Sequence, residues 1–313
     1  LLKPSGIAGF VTPTSFMSGR YFSKLRTHLL EQANIASIGL VSDRAGVFID
    51  VEQETALTIL KRREPKQVTN TFSRVSVVSR QGTLSSVGNC ALPSGGLAWP
   101  IPRAEGDAEL IRLMRKSRYR LSDYGFVPRT GLFVWNRDNR KTYYQLDEAH
   151  KDNAKVVLPL LWSSDITAEG RVAFGYNKKN IAEPCYVDIL DVNARGIIRN
   201  PAVLLQRVTS NDQPLRLVAG VVPDTLRRSH SGFVAENHLI VLESVEALPK
   251  FSPMLLARIL GARPIDRYFR CISGSTNVSI FELQQLPLPE PSRLQRLLQS
   301  GLSFDKAVLR AFQ

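Results

Sequence analysis

Three apolar runs crowded into the opening of the chain constrain its fold more than any other feature. They are residues 7–12 (Ile-Ala-Gly-Phe-Val-Thr), 35–41, and 56–60, which ends in Lys61, Arg62 and Arg63. A Lys-Pro-Ser-Gly turn precedes the first and Pro13 stops it, which predicts a short buried strand. Leu25, Leu29 and Leu30 fall at helical spacing and predict a helix over 23–32. Strand, helix, strand and strand in that order describe the closing part of an open α/β sheet. So few elements cannot cover both faces of a parallel sheet, so the sheet reads as unfinished.

From residue 64 onward the texture becomes polar, β-leaning and rich in turns, and Pro65-Lys66-Gln67 marks the expected boundary. The expectation is two domains, 1–65 and 66–313. In the second, strands are predicted at 75–78, 132–135, 156–162, 172–176, 202–206 and 239–242. Helical pattern returns at 107–116, at 252–269, and in a closing pair, 291–299 and 303–312, with Ser303 as a cap. The second domain is therefore expected to be mixed α/β.

No apolar run reaches the ~18 residues a membrane span needs; the longest candidate, 39–51, is broken by Ser42, Asp43 and Arg44. The N-terminus has neither a charged leader nor a small-residue cleavage site, and its lack of an initiator Met suggests a chain that begins partway through a longer protein. Cys90, Cys185 and Cys271 are too dispersed for a disulfide framework or a zinc site, which fits a reducing cytoplasm. His28, His150, His230 and His238 are equally scattered and read as ordinary surface or core histidines. The charge is informative: 41 Lys and Arg against 28 Asp and Glu give +13, which points to a polyanionic partner. Residues 1–65 hold eight basic and six acidic residues, so the excess is expected in the C-terminal domain.

Several chemistries find no support. There is no Gly-x-Gly-x-x-Gly, no phosphate-cradling Gly-Lys-Ser/Thr loop, and no Pro-Asp followed by Glu-x-Lys for a nuclease metal; no catalytic residue and no metal ligand is assigned. What the chain does hold are cations set among aromatics, hydroxyls and amides, a pattern suited to nucleic acid. Arg267, Arg270, Ser273, Ser275, Thr276 and Asn277 follow a predicted helix and read as a DNA-contacting loop, with Gly274 allowing close backbone approach; Tyr268 or Phe269 packs the helix. Trp135, Asn136 and Arg137, with Arg129 before them, suit a groove or an unstacked base, or else a half-buried strand end. Arg207 and Arg216 flank a polar loop whose Asn211 and Gln213 could read bases, the alternative being a solvated hairpin. Lys178, Lys179, Arg195 and Arg199 are generic phosphate contacts. Trp162 to Asp165 reads as structural, with the Asp165 side chain turning the chain.

Residues 2–16 (Leu-Lys-Pro-Ser-Gly-Ile-Ala-Gly-Phe-Val-Thr-Pro-Thr-Ser-Phe), Gly19-Arg-Tyr-Phe22, Lys24-Leu-Arg26 and Val47-Phe-x-x-Val-x-Gln-Glu-Thr55 together resemble adenine-specific DNA methyltransferases of restriction-modification systems. Leu160-Leu-Trp-Ser-Ser-Asp165, Asn200 to Arg207, Glu236-Asn-His238 and the 267–289 stretch resemble the attached target-recognition domain. The fold so implied is the late strands of a class I S-adenosylmethionine-dependent methyltransferase sheet followed by a mixed α/β target-recognition domain. The resemblance places an aromatic that stacks on the flipped adenine at Phe48, the alternative being a core Phe.

The family's cofactor loop and Asn-Pro-Pro-Tyr tetrad would precede the strand at Ile7, and this sequence has neither; Asn200-Pro201 continues as Ala-Val and reads as a turn. The expectation is therefore the recognition half of an N6-adenine methyltransferase, inactive by itself. S-adenosylmethionine is the cofactor of the complete enzyme and is not expected to bind this chain alone. Implied partners are duplex DNA and either the missing catalytic half or a cognate restriction endonuclease, with no membrane. A stand-alone DNA-binding specificity subunit and an RNA-binding protein are the competing readings.

Overall fold

A computed structural model describes residues 2–41, 54–64, 72–79, 81–175, 183–209 and 213–313. Phe48, Lys178, Lys179 and Asn211 lie outside the described residues, as does the expected boundary at 65/66. The chain forms two compact units, one of residues 1–118, 210–216 and 263–313, the other of 119–209 and 217–262. It is a mixed α/β protein with mixed sheets.

The first unit is built on a five-stranded sheet of β1 (Ile7–Pro13), β2 (Ala33–Val41), β3 (Thr55–Arg62), β4 (Phe72–Val78) and β5 (Leu84–Ala91), in the order β1-β3-β2-β4-β5. Only β2 and β4 pair in parallel; β1 with β3, β3 with β2, and β4 with β5 are antiparallel. The sheet that looked unfinished thus continues through β4 and β5, beyond residue 65, and is mixed rather than parallel. β1 is not buried: among the described residues it has β3 as its one strand neighbour and lies at an edge, leaving Ile7, Phe10 and Val11 at least half exposed. Apolar composition alone does not distinguish an edge from an interior strand.

Helix Ser23–Gln32 packs on β2, and Phe16, Met17, Leu30, Ile35, Ile38, Leu40, Leu60, Val75 and Trp99 form the core. Arg26 is fully buried inside this unit. Its guanidinium donates to the carbonyls of Phe16, Gly19, Gly96 and Leu97 at 2.7–2.8 Å, so it ties two loops to the helix. Burial pushes its pKa down to about 10.

The helical stretch expected over 252–269 divides into Pro253–Leu260 and Arg263–Ile272. Pro264 has no N–H to continue the ladder, so a new helix starts there, and the chain passes from the second unit to the first at that break. Within the first unit, Arg263–Ile272 packs against helices Asp107–Met114 and Phe304–Arg310, and the latter forms the expected hairpin with Pro291–Gln299. Ser303 takes the N-cap position but its side chain makes no cap hydrogen bond.

The second unit holds two four-stranded sheets. One has β6 (Phe126–Thr130), β10 (Ala202–Gln206), β11 (Ala219–Val221) and β13 (Leu239–Ser244), all antiparallel in the order β11-β10-β13-β6. The other has β7 (Thr142–Tyr143), β8 (Val157–Leu161), β9 (Tyr186–Asp188) and β12 (Val234–Ala235), in the order β12-β8-β9-β7. Leu161, Ile166, Ile198, Ala202, Leu204, Phe233, Leu239 and Val241 form one core cluster, and Phe133, Leu158, Leu160, Trp162 and Val187 a second. β10 is buried at four consecutive positions, which fits a strand covered on both faces, and helix Pro253–Leu260 lies against β10 and β11. Among the described residues no strand forms at 132–135 or 172–175, and residue 176 lies outside them; isolated bridges join Phe133 with Glu236 and Val172 with Ile166.

Candidate nucleic-acid interface

The 267–277 segment does not form a cationic loop. Arg267 and Arg270 lie within helix Arg263–Ile272, and each is neutralised inside its own unit. The Arg267 guanidinium donates to the buried carboxylate of Asp107. Arg270 donates to Asp266 at 2.6 Å and to the carbonyls of Gln213 and Pro214. Arg103 holds both oxygens of buried Glu54, at 3.2 and 2.8 Å, and the carbonyl of Arg270. Buried charges persist only when paired in this way.

Arg216 carries the clearest correction. It is fully buried rather than set in a solvated loop, and its guanidinium donates to Ser273 Oγ at 2.9 Å and the Ser275 carbonyl at 2.7 Å, over the Phe269 ring. A side chain with no exposed surface cannot touch a nucleic acid in this conformation. Ser273 is likewise fully buried, Ser275 Oγ donates to the Asn277 carbonyl, and both Tyr268 and Phe269 are core residues. Gly274 does permit a close approach, but to protein: a Cβ there would sit 2.2 Å from Thr14 Oγ1. Thr276 and Asn277 remain exposed. Burial pushes the Glu282 carboxyl, which closes a capping box with Ser279, above the ordinary carboxylate range, and does the same to the Cys271 thiol.

In the second unit the remaining predicted residues divide between two places. Arg129 pairs with Glu243, whose other oxygen accepts from the Arg199 backbone N–H; the Arg199 guanidinium donates to the Val192 carbonyl. Arg195 is exposed on the segment leading to Arg199. The second place is the end of the sheets where β6 and β10 finish and β13 begins. Gly131 lies so close to the 235–236 backbone that an added Cβ would come within 2.1 Å of the Glu236 carbonyl oxygen, so only glycine lets the 131–137 segment lie down there. Asn237 N–H donates to the Phe133 carbonyl, Arg207 N–H to the His238 carbonyl, and Arg207 Nη1 to the Asn237 carbonyl at 3.0 Å. Gln206 donates to the Ser163 carbonyl. The segments carrying Trp135, Asn136, Arg137 and Arg207 are thereby brought to one end of the unit.

Trp135 is 49% exposed and stands edge to face on buried Trp162, with centroids 5.6 Å apart; Phe133 lies 6.2 Å from Trp162. Trp162 is anchored by its indole N–H on the Pro184 carbonyl, and Asp165 accepts the Trp162 backbone N–H, turning the chain as expected. A rigid aromatic base supports a half-open indole face. Asn136 and Arg137 are exposed beside it, and the Arg137 guanidinium has no partner among the described residues. Arg140, by contrast, is held by Asp138, whose carboxyl it keeps below its usual range. This end of the unit offers a stacking surface, an uncommitted guanidinium and amides. Sequence reasoning missed one feature of it: His238 is held by the buried carboxylate of Glu236, a contact signalled only by the Glu-Asn-His spacing.

A cleft of about 390 Å³ in the first unit is lined by Phe10, Thr12, Pro13, Ser15, Phe16, Phe22, Leu25, Leu29, Thr58 and Leu60. It offers no carboxylate for ribose hydroxyls or for positive charge, so S-adenosylmethionine does not fit its lining. Among the described residues no group of three or more His, Cys, Asp or Glu could hold a metal, and no helix is long and apolar enough to cross a membrane.

The chain is similar in sequence to the Type II methyltransferase M.BsuBI of Bacillus subtilis, 24% identical over 311 residues. The match covers 92% of this chain and 56% of that protein, so the chain spans just over half the length of its curated relative. No family model matches. Among solved structures it is similar to the type IIG restriction endonuclease BpuSI (10% identity, 97% of this chain and 42% of that one, TM-score 0.41). It is also similar to the ATP-dependent Type ISP restriction-modification enzyme LlaBIII bound to DNA (11% identity, 95% and 25%, TM-score 0.40). At these TM-scores the likeness does not establish a shared fold.

Proposed function

We propose that this chain is the DNA-recognition part of a restriction-modification methyltransferase, binding duplex DNA so that a flipped adenine is presented for transfer of a methyl group to its N6. The observation that carries the recognition role is the half-exposed Trp135, braced on Trp162 and flanked by exposed Asn136 and Arg137. A stacking face beside an uncommitted cation and amides is what contact with a polyanion bearing aromatic bases requires. Similarity to a Type II methyltransferase over nearly the whole chain supports the class. S-adenosylmethionine belongs in this reading to the complete enzyme, and the chemistry to residues that these 313 do not include, since the sequence holds no cofactor loop and no Asn-Pro-Pro-Tyr.

In this reading Trp135 and Arg207 face the bases or the sugar-phosphate edge, Arg137 and Arg195 neutralise phosphates, and the exposed cations of both units draw the duplex in. Binding of the full chain to duplex DNA and to structured RNA of equal length, over a salt series, tests it. The expected result is tighter binding to duplex DNA that weakens steeply with salt and shows sequence preference. Preference for the structured RNA would overturn it.

A further inference from the structure

His238 is 58% exposed, yet its ring orientation is fixed. Nδ1 lies 2.9 and 3.0 Å from the two oxygens of Glu236, whose side chain is only 2% exposed, and the same carboxylate accepts the His238 backbone N–H at 2.8 Å. A carboxylate can only accept, so in the neutral form of the ring Nδ1 carries the proton and Nε2 is left bare as an acceptor. Nε2 has no partner among the described residues. The turn that holds the ring is pinned from both sides: the Asn237 carbonyl accepts from the Arg207 guanidinium, and Asn237 N–H bonds to Phe133. Glu236 and the Arg207 guanidinium are the charged groups that the hydrogen bonds of this turn bring beside His238. A buried carboxylate whose bonds orient an exposed ring so fixedly suits a group built to meet a ligand.

We propose that His238 reads a base edge: its Nε2 accepts a hydrogen bond from the exocyclic amino group of an adenine or a cytosine in the major groove. The proposal rests on the DNA-recognition reading above. Phosphate oxygens are acceptors and have nothing to gain from a bare Nε2, whereas adenine N6 and cytosine N4 are the donors that the major groove displays. Glu236 is then a positioning residue, setting the tautomer rather than touching DNA.

The test selects preferred sites for the full chain from a randomised duplex pool, then repeats the selection with His238→Ala, His238→Gln and His238→Lys, with thermal melts to confirm folding. The expected result is that His238→Ala loses about tenfold of preference at one amino-bearing base pair, with other positions retained. His238→Gln, which keeps an acceptor, recovers part of it, and His238→Lys, which has none, does not. An unchanged preference profile would overturn the proposal. So would a uniform loss of affinity across all sequences with a shallower salt dependence, the mark of a phosphate contact. If the unaltered chain selects no sequence, the recognition reading itself fails, an outcome separate from a selective chain that is indifferent to His238.

Discussion

The two units hold their arginines differently. The first carries 24 Lys and Arg against 14 Asp and Glu, a difference of +10, and the second 17 against 14, a difference of +3. Charge counting would therefore place the nucleic-acid contact on the first unit. Yet its most distinctive arginines, Arg26, Arg103, Arg216, Arg267 and Arg270, are bound to carbonyls or carboxylates, and Lys24, Arg296 and Lys306 are among the cations left at its surface. The second unit has little net charge but gathers at one end an aromatic face, amides, an oriented histidine and the Arg137 guanidinium, which has no partner among the described residues. Attraction to phosphate and reading of bases are separable tasks, and the proposed function gives general attraction to the exposed cations of both units and reading of bases to the Trp135 end of the second.

Breaking the buried network of the first unit should have the largest effect. Arg216→Ala leaves Ser273 and the Ser275 carbonyl without their donor and is expected to cost about 1–3 kcal/mol of stability for each group so orphaned, read by urea unfolding. An unchanged midpoint with lost DNA affinity would return Arg216 to the readers. Gly274→Ala must displace Thr14 and is expected to cost about 1–3 kcal/mol in the same assay.

Substitutions in the second unit should act on binding instead. Trp135→Ala is expected to weaken duplex binding by about 1–3 kcal/mol, measured by fluorescence anisotropy, while the melting temperature moves far less than for Arg216→Ala. Arg137→Ala should lower affinity evenly across sequences and reduce the salt slope by about 1.

The smallest effect is a pH dependence. Because the folded-state pKa of Glu282 is raised, the folded protein binds a proton there more readily than the unfolded chain does, and stability from this group is present at low pH and lost as pH rises through its folded value. Glu282→Gln should therefore gain on the native protein at neutral pH. The gap should close as pH falls toward the ordinary carboxylate value of 4.5, as followed by thermal melts.

Local pattern made much of the fold legible. The helices at 23–32 and 107–114 and the strands β2, β3, β8, β10 and β13 follow from spacing and apolar runs. What pattern could not reveal was partnership. β1 reads as buried because its residues are apolar, and only pairing shows that it lies at an edge. Pro264, in the middle of an apolar period, was enough to split one expected helix into two.

At the candidate site the same limit applies. Arg216 and Arg137 are both arginines near polar loop residues, and the sequence does not say that one faces Ser273 in the interior and the other faces solvent. The Arg267 and Arg270 carboxylate partners include Asp107, far away in sequence, a pairing no local motif encodes. Trp135 with Arg137 was visible because aromatic, amide and cation are adjacent. The Glu236-Asn-His238 segment stands out in the sequence only by family resemblance, and that the Glu236 carboxylate holds the His238 ring is legible only in the structure.

The division of labour between the units is tested most directly by the base preference of duplex binding, measured for the full chain and for Trp135→Ala/Arg137→Ala at low and moderate salt. The prediction is that the double variant still binds duplex DNA at low salt, through the charge of the first unit, but discriminates poorly among sequences. A double variant whose sequence preference equals that of the unaltered chain would contradict the assignment of reading to the Trp135 end of the second unit.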